Sequence, residues 1–313
     1  MIRIHVKRLA KIVAIALVAV IGAAGLRTHG LRTRQPAPGT PAAITFDQDA
    51  AGERLAGAIR FPTISWGDAS KRDSQAFLDL HAYLAEQFPA VTRRLSRETI
   101  ATYSLLYTWP GRRSDLPPLL LLGHLDVVPA DTSGRPWTQA AFSGAVAGGS
   151  VWGRGAMDDK SGVLGLLEAV AALLGAGFTP ERTIYLAFGH NEEDGGDANG
   201  AAAIAQHLAS RGIHDAWLLD EGGLILDGVP GVTRPVAFVG VTEKVPVNVE
   251  LRVEAPGGHA SVPPAETAVG ILGRALNRLE QRPMPARLDG VVREMFMTLA
   301  PEMTLPMRVL FAN

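Results

Sequence analysis

The sequence predicts an α/β protein, with a mainly parallel sheet flanked by helices, followed by the start of a second, smaller α+β domain. Between residues 46 and 240, short apolar runs typical of buried strands alternate with longer segments of helical spacing. Strand–helix–strand alternation of this kind produces a mainly parallel sheet with helices on both faces. After about Gly240 the pattern changes to one alternating strand and one amphipathic helix.

The individual elements follow from local patterns of apolar residues. Buried strands are predicted at Leu119 to Leu122, Thr183 to Phe188 and Ala216 to Leu219. Helices are predicted at Ser74 to Phe88, Ser161 to Leu174 and Gly200 to Ser210, and Gly177 is placed to stop the second of them. The second domain is predicted to contain a half-exposed strand at Val245 to Val253 and a helix at Thr267 to Leu279.

Composition narrows the class of function. Apolar residues make up 47% of the 313 residues and charged residues 19%, which is typical of a globular protein. The net charge of −1 offers no electrostatic footprint for nucleic acid, so no such partner is expected. Cysteine is absent, which excludes disulfides, thiolate nucleophiles and thiolate metal sites. Any metal must therefore be held by histidine and carboxylate ligands.

The N-terminus has the form of an export signal. Four basic residues precede an uninterrupted apolar run from Ile12 to Leu26. Residues 1–26 are therefore predicted to be a signal peptide or a membrane anchor, and the sequence leaves open which. Residues 27–45 are arginine- and proline-rich and are predicted to be a linker. The expected location is periplasmic, secreted or membrane-anchored, with the catalytic domain outside the cytoplasm.

Four clusters of acidic or imidazole residues lie at strand ends or a helix start, where ligands of α/β sheets bind. They are His124–Asp126, the glycine-rich turn that carries Asp158 and Asp159, His190–Glu193, and Asp220–Gly223. In an extended strand end, residues two apart point the same way, so Asp126 can reach the far nitrogen of His124. Several carboxylates close together repel each other unless divalent cations are present. Adjacent glutamates allow one to bind a metal while the other stays free as a general base.

These clusters occur within a longer set of motifs. GHLDVVP, PW, FSG, VWGRGAMDDK, LLEAV, FGHNEE, LLDEGG and the later GGHASVPP follow one another in order from about Phe46 to Pro264. Together they resemble the zinc exopeptidase family of carboxypeptidase S, aminoacylase and related N-acyl amino acid hydrolases. The resemblance implies two zinc ions, with manganese or cobalt as alternatives, and hydrolysis of an amide bond next to a free carboxylate. The expected substrate is a peptide or an N-acyl amino acid.

The resemblance also implies roles for individual residues. It makes His124, Asp158, Glu193 and Asp220 metal ligands, with Asp158 bridging both ions. It makes Asp126 the residue that orients His124 and Glu192 the general base that activates water. His259 matches a histidine of the family's lid domain that polarises the substrate carbonyl, often across a dimer interface. Asp159 is expected to be a helix-start carboxylate, and Glu221 a hydrogen-bonding or turn residue.

Two departures from the family pattern qualify this assignment. Asn191 stands where this branch usually has aspartate, at a position that is not a ligand. No histidine follows His259, although the family's last metal ligand is a downstream histidine. The chain is therefore expected to be C-terminally truncated and nearly inactive, with residues 46–240 forming the catalytic domain and residues 241–313 an incomplete lid or dimerisation domain.

Two alternatives stay open at this point. One is an aminoacylase-like deacylase that selects the acyl group, and the other is a truncated, non-catalytic chain that retains part of the metal site. A homodimer through the lid domain and membrane anchoring through the N-terminus are the expected associations.

Overall fold

A computed structural model describes residues 2–37, 39, 44–131, 134, 136–194, 199–244, 247–255, 257–259, 261–262 and 264–313, and the side chains of residues 2–10 are not described. Contacts divide the chain into two compact units. One comprises residues 40–222, and the other residues 1–39 together with 223–313. The predicted catalytic domain ended instead at residue 240, and its boundaries stay predictions.

The unit of residues 40–222 contains all the strands predicted for the first domain. Its helices are α2 (Gln48–Ile59), α3 (Ser74–Gln87), α4 (Pro89–Arg94), α5 (Lys160–Gly175) and α6 (Ala201–Ser210). Its strands are β1 (Ser96–Ile100), β2 (Ser104–Trp109), β3 (Leu119–His124), β4 (Ala145–Ala147), β5 (Ser150–Trp152), β6 (Ile184–Gly189) and β7 (Trp217–Leu219). The helices and strands predicted from the sequence here are confirmed, with ends that shift by a few residues.

Among the described residues, five strands form one sheet in the order β1-β2-β6-β3-β7. β3 pairs in parallel with both β6 and β7, as the sequence predicts. β1 and β2 form a hairpin, and β2 pairs with β6 in antiparallel orientation, so the sheet is mixed. The α/β class is confirmed, and the antiparallel pairings come from the β1–β2 hairpin, which the apolar pattern did not reveal.

Helices pack on the sheet through a continuous apolar core. α5 places Val163, Leu164 and Leu167 against Leu186 and Phe188 of the central strand β6. The helix ends as expected at Gly177, which has a φ of +72°. The Gly177 N–H donates to the Leu174 carbonyl, and the Phe178 N–H donates to the Leu173 carbonyl. This cap fixes the length of α5, whose other end lies at the candidate site.

A buried histidine makes this unit sensitive to acid. His81 on α3 is 6% exposed, and its Nε2 lies 2.9 Å from the Tyr103 carbonyl oxygen. Burial lowers the pKa of His81 from 6.5 to about 4, so the folded chain keeps this ring neutral where the unfolded chain protonates it. The stability this group contributes is complete above pH 6.5 and is lost as pH falls toward 4.

We therefore expect the free energy of unfolding to depend less on pH in a His81→Gln variant than in the native chain. The native chain should lose up to about 3 kcal/mol relative to the variant between pH 6.5 and 4. Glutamine keeps a donor for the Tyr103 carbonyl and does not titrate. Urea unfolding at a series of pH values measures the difference, and parallel curves for the two proteins would contradict the assignment.

The other unit is built mainly from helices. It contains α1 (Ile2–Gly30), β8 (Leu224–Leu226), β9 (Val236–Phe238), α7 (Ala268–Gln281), α8 (Gly290–Leu299) and α9 (Leu305–Ala312). α1 contacts α9, and the rings of Phe296 and Phe311 stack at 4.6 Å. The predicted helix at Thr267 to Leu279 is confirmed as α7, with Thr267 as its N-cap.

The predicted strand at Val245 to Val253 is not observed. Its first two residues lie outside the described residues, and residues 247–253 have no regular structure. An isolated strand leaves its backbone groups without partners, so alternation of apolar residues alone does not form one. Within the described part of the chain, no strand is hydrogen-bonded to this segment.

The N-terminal helix matches the predicted export segment in position but is longer. α1 continues to Gly30, so Arg27–Gly30 of the predicted linker are helical. Its segment Lys11–Gly30 has a mean hydropathy of 1.9 and is long and apolar enough to cross a membrane. A signal sequence near the N-terminus has the same properties. Pro38 and residues 40–43 of the predicted linker lie outside the described residues.

Candidate metal site

The carboxyl ends of β3 and β6 lie side by side and carry most of the site. His124 is in register with Gly189, and the Leu125 N–H donates to the Gly189 carbonyl at 2.8 Å. Parallel neighbours end at the same edge of a sheet, so the segments that follow them leave it together. Two of the predicted clusters, His124–Asp126 and His190–Glu193, are thereby neighbours.

His124 is fixed in one orientation. Its side chain is 2% exposed, and its Nδ1 lies 3.0 Å from the backbone carbonyl oxygen of Asp126 and 3.4 Å from the Asp126 Oδ1. Its Nε2 lies 2.9 Å from Asp158 Oδ1. The ring thus presents Nε2 to the acidic residues and Nδ1 to Asp126, as predicted, although the nearest atom is the Asp126 backbone oxygen rather than its carboxylate.

Asp126 is fully buried and connects the two strand ends. Its Oδ1 accepts the Glu192 N–H, and its Oδ2 accepts the Glu193 N–H, both at 3.1 Å. The Ser65 hydroxyl also donates to Oδ2, at 2.6 Å. Burial by itself raises the pKa of Asp126, but hydrogen bonds from His124 and Ser65 lower the pKa below its ordinary value. Asp126 is therefore ionised and holds the backbone of the segment that carries both glutamates.

Two overlapping groups of potential ligand atoms meet at His124. One consists of His124, Asp158 and Glu193, and the other of His124, Asp159 and Glu221. Within each group, the imidazole nitrogen and the carboxylate oxygens lie within 4.8 Å of one another. Three of the four predicted ligands, His124, Asp158 and Glu193, are thus brought together. Asp159 and Glu221, which were not predicted to be ligands, join them.

Burial and neighbouring charges shift the pKa values of the ionisable groups around His124. Burial lowers the pKa of His124, but the hydrogen bond and charge of Asp126, with the charges of Glu221 and Asp159, raise it to about 10. Burial, with nearby carboxylates, raises the pKa of Glu221 to about 7. Burial likewise raises the pKa of Asp159 to about 6. Both carboxylates therefore ionise at a higher pH than usual, and a bound cation would favour their ionised forms.

Asp159 sits in a space that two glycines leave open. Its Oδ2 accepts the His124 backbone N–H at 3.2 Å, and Asp159 itself is 4% exposed at the start of α5. A Cβ at Gly123 would come within 2.7 Å of Oδ2, and one at Gly162 within 2.2 Å of Oδ1. The glycines in these motifs therefore admit a buried carboxylate directly beneath the His124 backbone.

Asp220 and Glu221 lie directly after β7, but only one of them faces His124. Glu221 Oε2 lies 3.5 Å from His124 Nε2. Asp220 is exposed, and its Oδ1 accepts the Glu221 N–H at 2.9 Å. Successive residues of an extended chain point in opposite directions, and here Glu221 faces His124 while the Asp220 side chain turns to the Glu221 backbone. The structure thus places Asp220, the predicted ligand, outside both groups.

Glu192 borders the same group without belonging to either set. Its Oε2 lies 3.9 Å from His124 Nε2, and its side chain is 56% exposed. Burial, together with the charges of Asp126, Asp158 and Asp220, raises the pKa of Glu192 above its ordinary value. An accessible carboxylate with a raised pKa, held by its backbone next to potential metal ligands, suits a general base.

His259 belongs to the other unit, so its relation to these residues stays a prediction. It is exposed, and its Nδ1 lies 2.8 Å from Ser261 Oγ. Ala260 and Pro263 of the same motif lie outside the described residues.

The order of these motifs along the chain agrees with a comparison to known families. Residues 120–304, more than half of the chain, match the model of peptidase family M20/M25/M40. The chain belongs to this family. Membership of peptidase family M20/M25/M40 confirms the resemblance drawn from the GHLDVVP, GRGAMDDK and LLDEGG motifs.

Curated relatives agree with the family assignment. Probable carboxypeptidase S-like 2 of Dictyostelium discoideum is 43% identical over 83% of this chain and 51% of its own length. The human N-fatty-acyl-amino acid synthase/hydrolase PM20D1 is 39% identical over 83% of this chain and 52% of its own. The chain spans about half the length of the curated relatives it matches. Human carnosine dipeptidase 1 overlaps partially, with a TM-score of 0.45, 20% identity, and coverage of 55% and 38% of the two chains.

Sequence reasoning did not assign three residues that this M20 chain brings to the site. Asp159 follows Asp158 and Glu221 follows Asp220, which were the acids assigned as ligands. The sequence does not show in which direction each of these side chains points. Ser65 lies almost 60 residues before His124 in the TIS segment that follows α2. A lone serine carries no signal of its own, and only the fold brings it to Asp126.

Proposed function

We propose that this chain forms the metal-binding part of a dinuclear zinc hydrolase that cleaves an amide bond next to a free carboxylate. The observation that supports a metal here most is the position of His124 Nε2, which belongs to two groups of potential ligand atoms. Because both groups share this nitrogen, they describe one ion, and the second ion is proposed from membership of the family. A site of one imidazole and several carboxylates, without thiolates, suits zinc, with manganese and cobalt as alternatives.

The potential ligand atoms around His124 fit a metal ion. His124 Nε2 is turned toward Asp158 and Glu221 and has acidic oxygens at 2.9 and 3.5 Å. Burial is the main cause of the raised pKa values of Asp159 and Glu221, and the charge of Asp158 adds to it. Divalent cations would favour the ionised forms of these carboxylates, and His124, Asp158 and Glu193 are proposed to hold them. When bound, they supply positive charge that polarises the scissile carbonyl.

The other steps of the proposed reaction depend on residues of the chain itself. Glu192 takes a proton from the attacking water and passes it to the leaving nitrogen. Asp126 holds the backbone N–H groups of Glu192 and Glu193 and orients His124. Glu193 and Asp158 complete the ligand group. His259 is proposed to polarise the substrate carbonyl, in a homodimer formed through the predicted lid domain of residues 241–313.

The proposed substrates are peptides or N-acyl amino acids with a free carboxylate. The names of the relatives include both a carboxypeptidase and an N-fatty-acyl-amino acid synthase/hydrolase. Zinc-loaded chain assayed against dipeptides and against amino acids that carry short or long acyl groups tests the proposal. Turnover is expected to be low, because no histidine follows His259 to complete the ligand set that the family resemblance implies. Absence of zinc binding would contradict the proposal, and zinc binding without any hydrolysis would favour a non-catalytic chain.

Paired variants decide which acid after β7 is a ligand. Since Glu221 faces His124 and Asp220 does not, Glu221→Gln is expected to weaken zinc binding by about tenfold or more, whereas Asp220→Asn leaves it nearly unchanged. Each change keeps the size of the side chain and removes one charge. Competition with a chelating dye measures both affinities, and the reverse ranking would restore Asp220 as the ligand.

We further propose that the N-terminal helix directs export of the chain. Residues 1–45 fused to a reporter enzyme are expected to carry it across a membrane, because basic residues precede an apolar helix long enough to insert. A matched fusion with Leu17 and Val18 changed to Asp should stay in the cytosol. Cytosolic reporter from the native fusion would overturn the assignment, and membrane fractionation distinguishes a cleaved signal from an anchor.

A further inference from the structure

A short segment after α2 runs beside the residues that carry Asp126. Ile64 and Val127 form a parallel bridge. The Ser65 N–H donates to the Val127 carbonyl, and the Val127 N–H donates to the Thr63 carbonyl, both at 3.0 Å. The Thr63 hydroxyl donates to the Leu125 carbonyl at 2.6 Å. Residues 63–65, called here the 63–65 segment, are thereby fixed against the strand end on both sides of Asp126.

Within this segment, Ser65 contacts the Asp126 carboxylate itself. Ser65 is 4% exposed, and its hydroxyl lies 2.6 Å from Asp126 Oδ2. Ser65 Oγ also lies 3.4 Å from the His190 carbonyl oxygen. A serine hydroxyl has one proton to donate, and the shorter, charge-assisted contact to the carboxylate is the stronger of the two. The proton therefore lies on the Asp126 side.

The orientation of the Asp126 carboxylate decides what it can hold. Oδ1 accepts the Glu192 N–H and lies near His124 Nδ1, while Oδ2 accepts the Glu193 N–H. All three contacts need the plane of the carboxylate in one position. Its terminal torsion is soft by nature, so this position must be set by partners. Ser65 is the side-chain partner that comes from outside the two strand ends.

We propose that Ser65 is a positioning residue, which acts through Asp126 to fix both His124 and the segment that carries Glu192 and Glu193. The proposal rests on the proposed function for its catalytic consequence, but the geometry it describes belongs to the metal-free chain. Partners of this kind, one step removed from the metal ligands, typically contribute about 10- to 100-fold to metal affinity or activity.

Thr63 offers a matched control. Its hydroxyl is as buried as that of Ser65 and makes an equally short hydrogen bond in the same segment, but to a backbone carbonyl. Thr63→Val removes that bond without changing the size of the side chain and leaves Asp126 untouched. An effect of Ser65→Ala through general loosening of the 63–65 segment should therefore be reproduced by Thr63→Val.

The first measurement needs no metal. Amide hydrogen exchange of the peptide that contains Glu192 and Glu193 is expected to be about tenfold faster in Ser65→Ala than in the native chain, because Asp126 no longer holds both N–H groups. Thr63→Val should exchange at the native rate there. Unchanged protection in Ser65→Ala, or equal acceleration in Thr63→Val, would overturn the proposal.

The second measurement follows zinc affinity and hydrolysis of the best N-acyl amino acid. Ser65→Ala should weaken zinc binding and lower kcat by about 10- to 100-fold with little change in KM, and Ser65→Thr, which keeps the hydroxyl, should recover most of the loss. If Ser65→Ala does not fold, Ser65→Cys replaces it, since its thiol is a weak donor of similar size. Native-like zinc affinity and kcat in the folded variant would overturn the proposal. A native chain without zinc binding or turnover would contradict the proposed function, while amide exchange would still decide the role of Ser65.

Discussion

Replacing Glu192 with glutamine is expected to lower turnover by about 100-fold or more while zinc binding stays intact. Glutamine keeps the shape of the side chain and the backbone N–H that Asp126 accepts, but it cannot take a proton from water. Glu192 lies outside both groups of potential ligands, so the metal should be retained. Steady-state hydrolysis of the best N-acyl amino acid, with zinc per chain determined on the same sample, measures both properties.

Two controls make the Glu192 result specific. Glu193→Gln should lose zinc as well as turnover, because Glu193 shares a group with His124 and Asp158. Glu53→Gln, an exposed glutamate on α2, should change neither. Full turnover in Glu192→Gln would assign the base to another residue, and loss of zinc in that variant would make Glu192 a ligand.

Replacing Asp158 with asparagine is expected to give the largest loss of metal. Asp158 Oδ1 lies 2.9 Å from His124 Nε2, and as a bridging ligand Asp158 would serve both ions. Removing a residue one step from the ligands costs about 10- to 100-fold, so loss of the bridging ligand should weaken zinc binding by at least about 100-fold. Isothermal titration with zinc measures the affinity and the number of ions bound.

Asp158→Asn is expected to fold normally, because the Asp158 side chain is 64% exposed. Circular dichroism should be unchanged, and Asp215→Asn, at an exposed position of the same unit, is the matched control. Zinc binding of native strength in Asp158→Asn would remove Asp158 from the site and leave the group of His124, Asp159 and Glu221 as the metal centre.

The sequence could predict those parts of the fold that depend on short-range pattern. β3, β6, α5 and the Gly177 cap follow from apolar spacing and a glycine at the required position. The β1–β2 hairpin could not be read in the same way. β2 is buried at nearly every position, so its residues show no alternation, and β1 is largely exposed.

The candidate site shows a similar division. Motif order and the family resemblance predicted roles for His124, Asp126, Asp158 and the two adjacent glutamates, and these roles stay predictions. The choice between Asp220 and Glu221 depends on which of the two neighbouring side chains points toward His124. The three residues of β7 are too few for an alternation of apolar residues to predict this direction. Ser65 depends on a contact across 61 residues of sequence, which only the folded chain reveals.

The strand order has a consequence for the time at which the site is assembled. β6 lies between β2 and β3, although it is made after both of them. During synthesis β3 therefore cannot settle beside its final neighbours until β6 has emerged, and β7, which precedes Glu221, emerges later still. Pairings of this kind are distant in sequence and form slowly. The nascent chain thus carries His124 and Asp158 for some time before Glu193 and Glu221 can join them, so metal binding at the proposed site is expected to come late in folding.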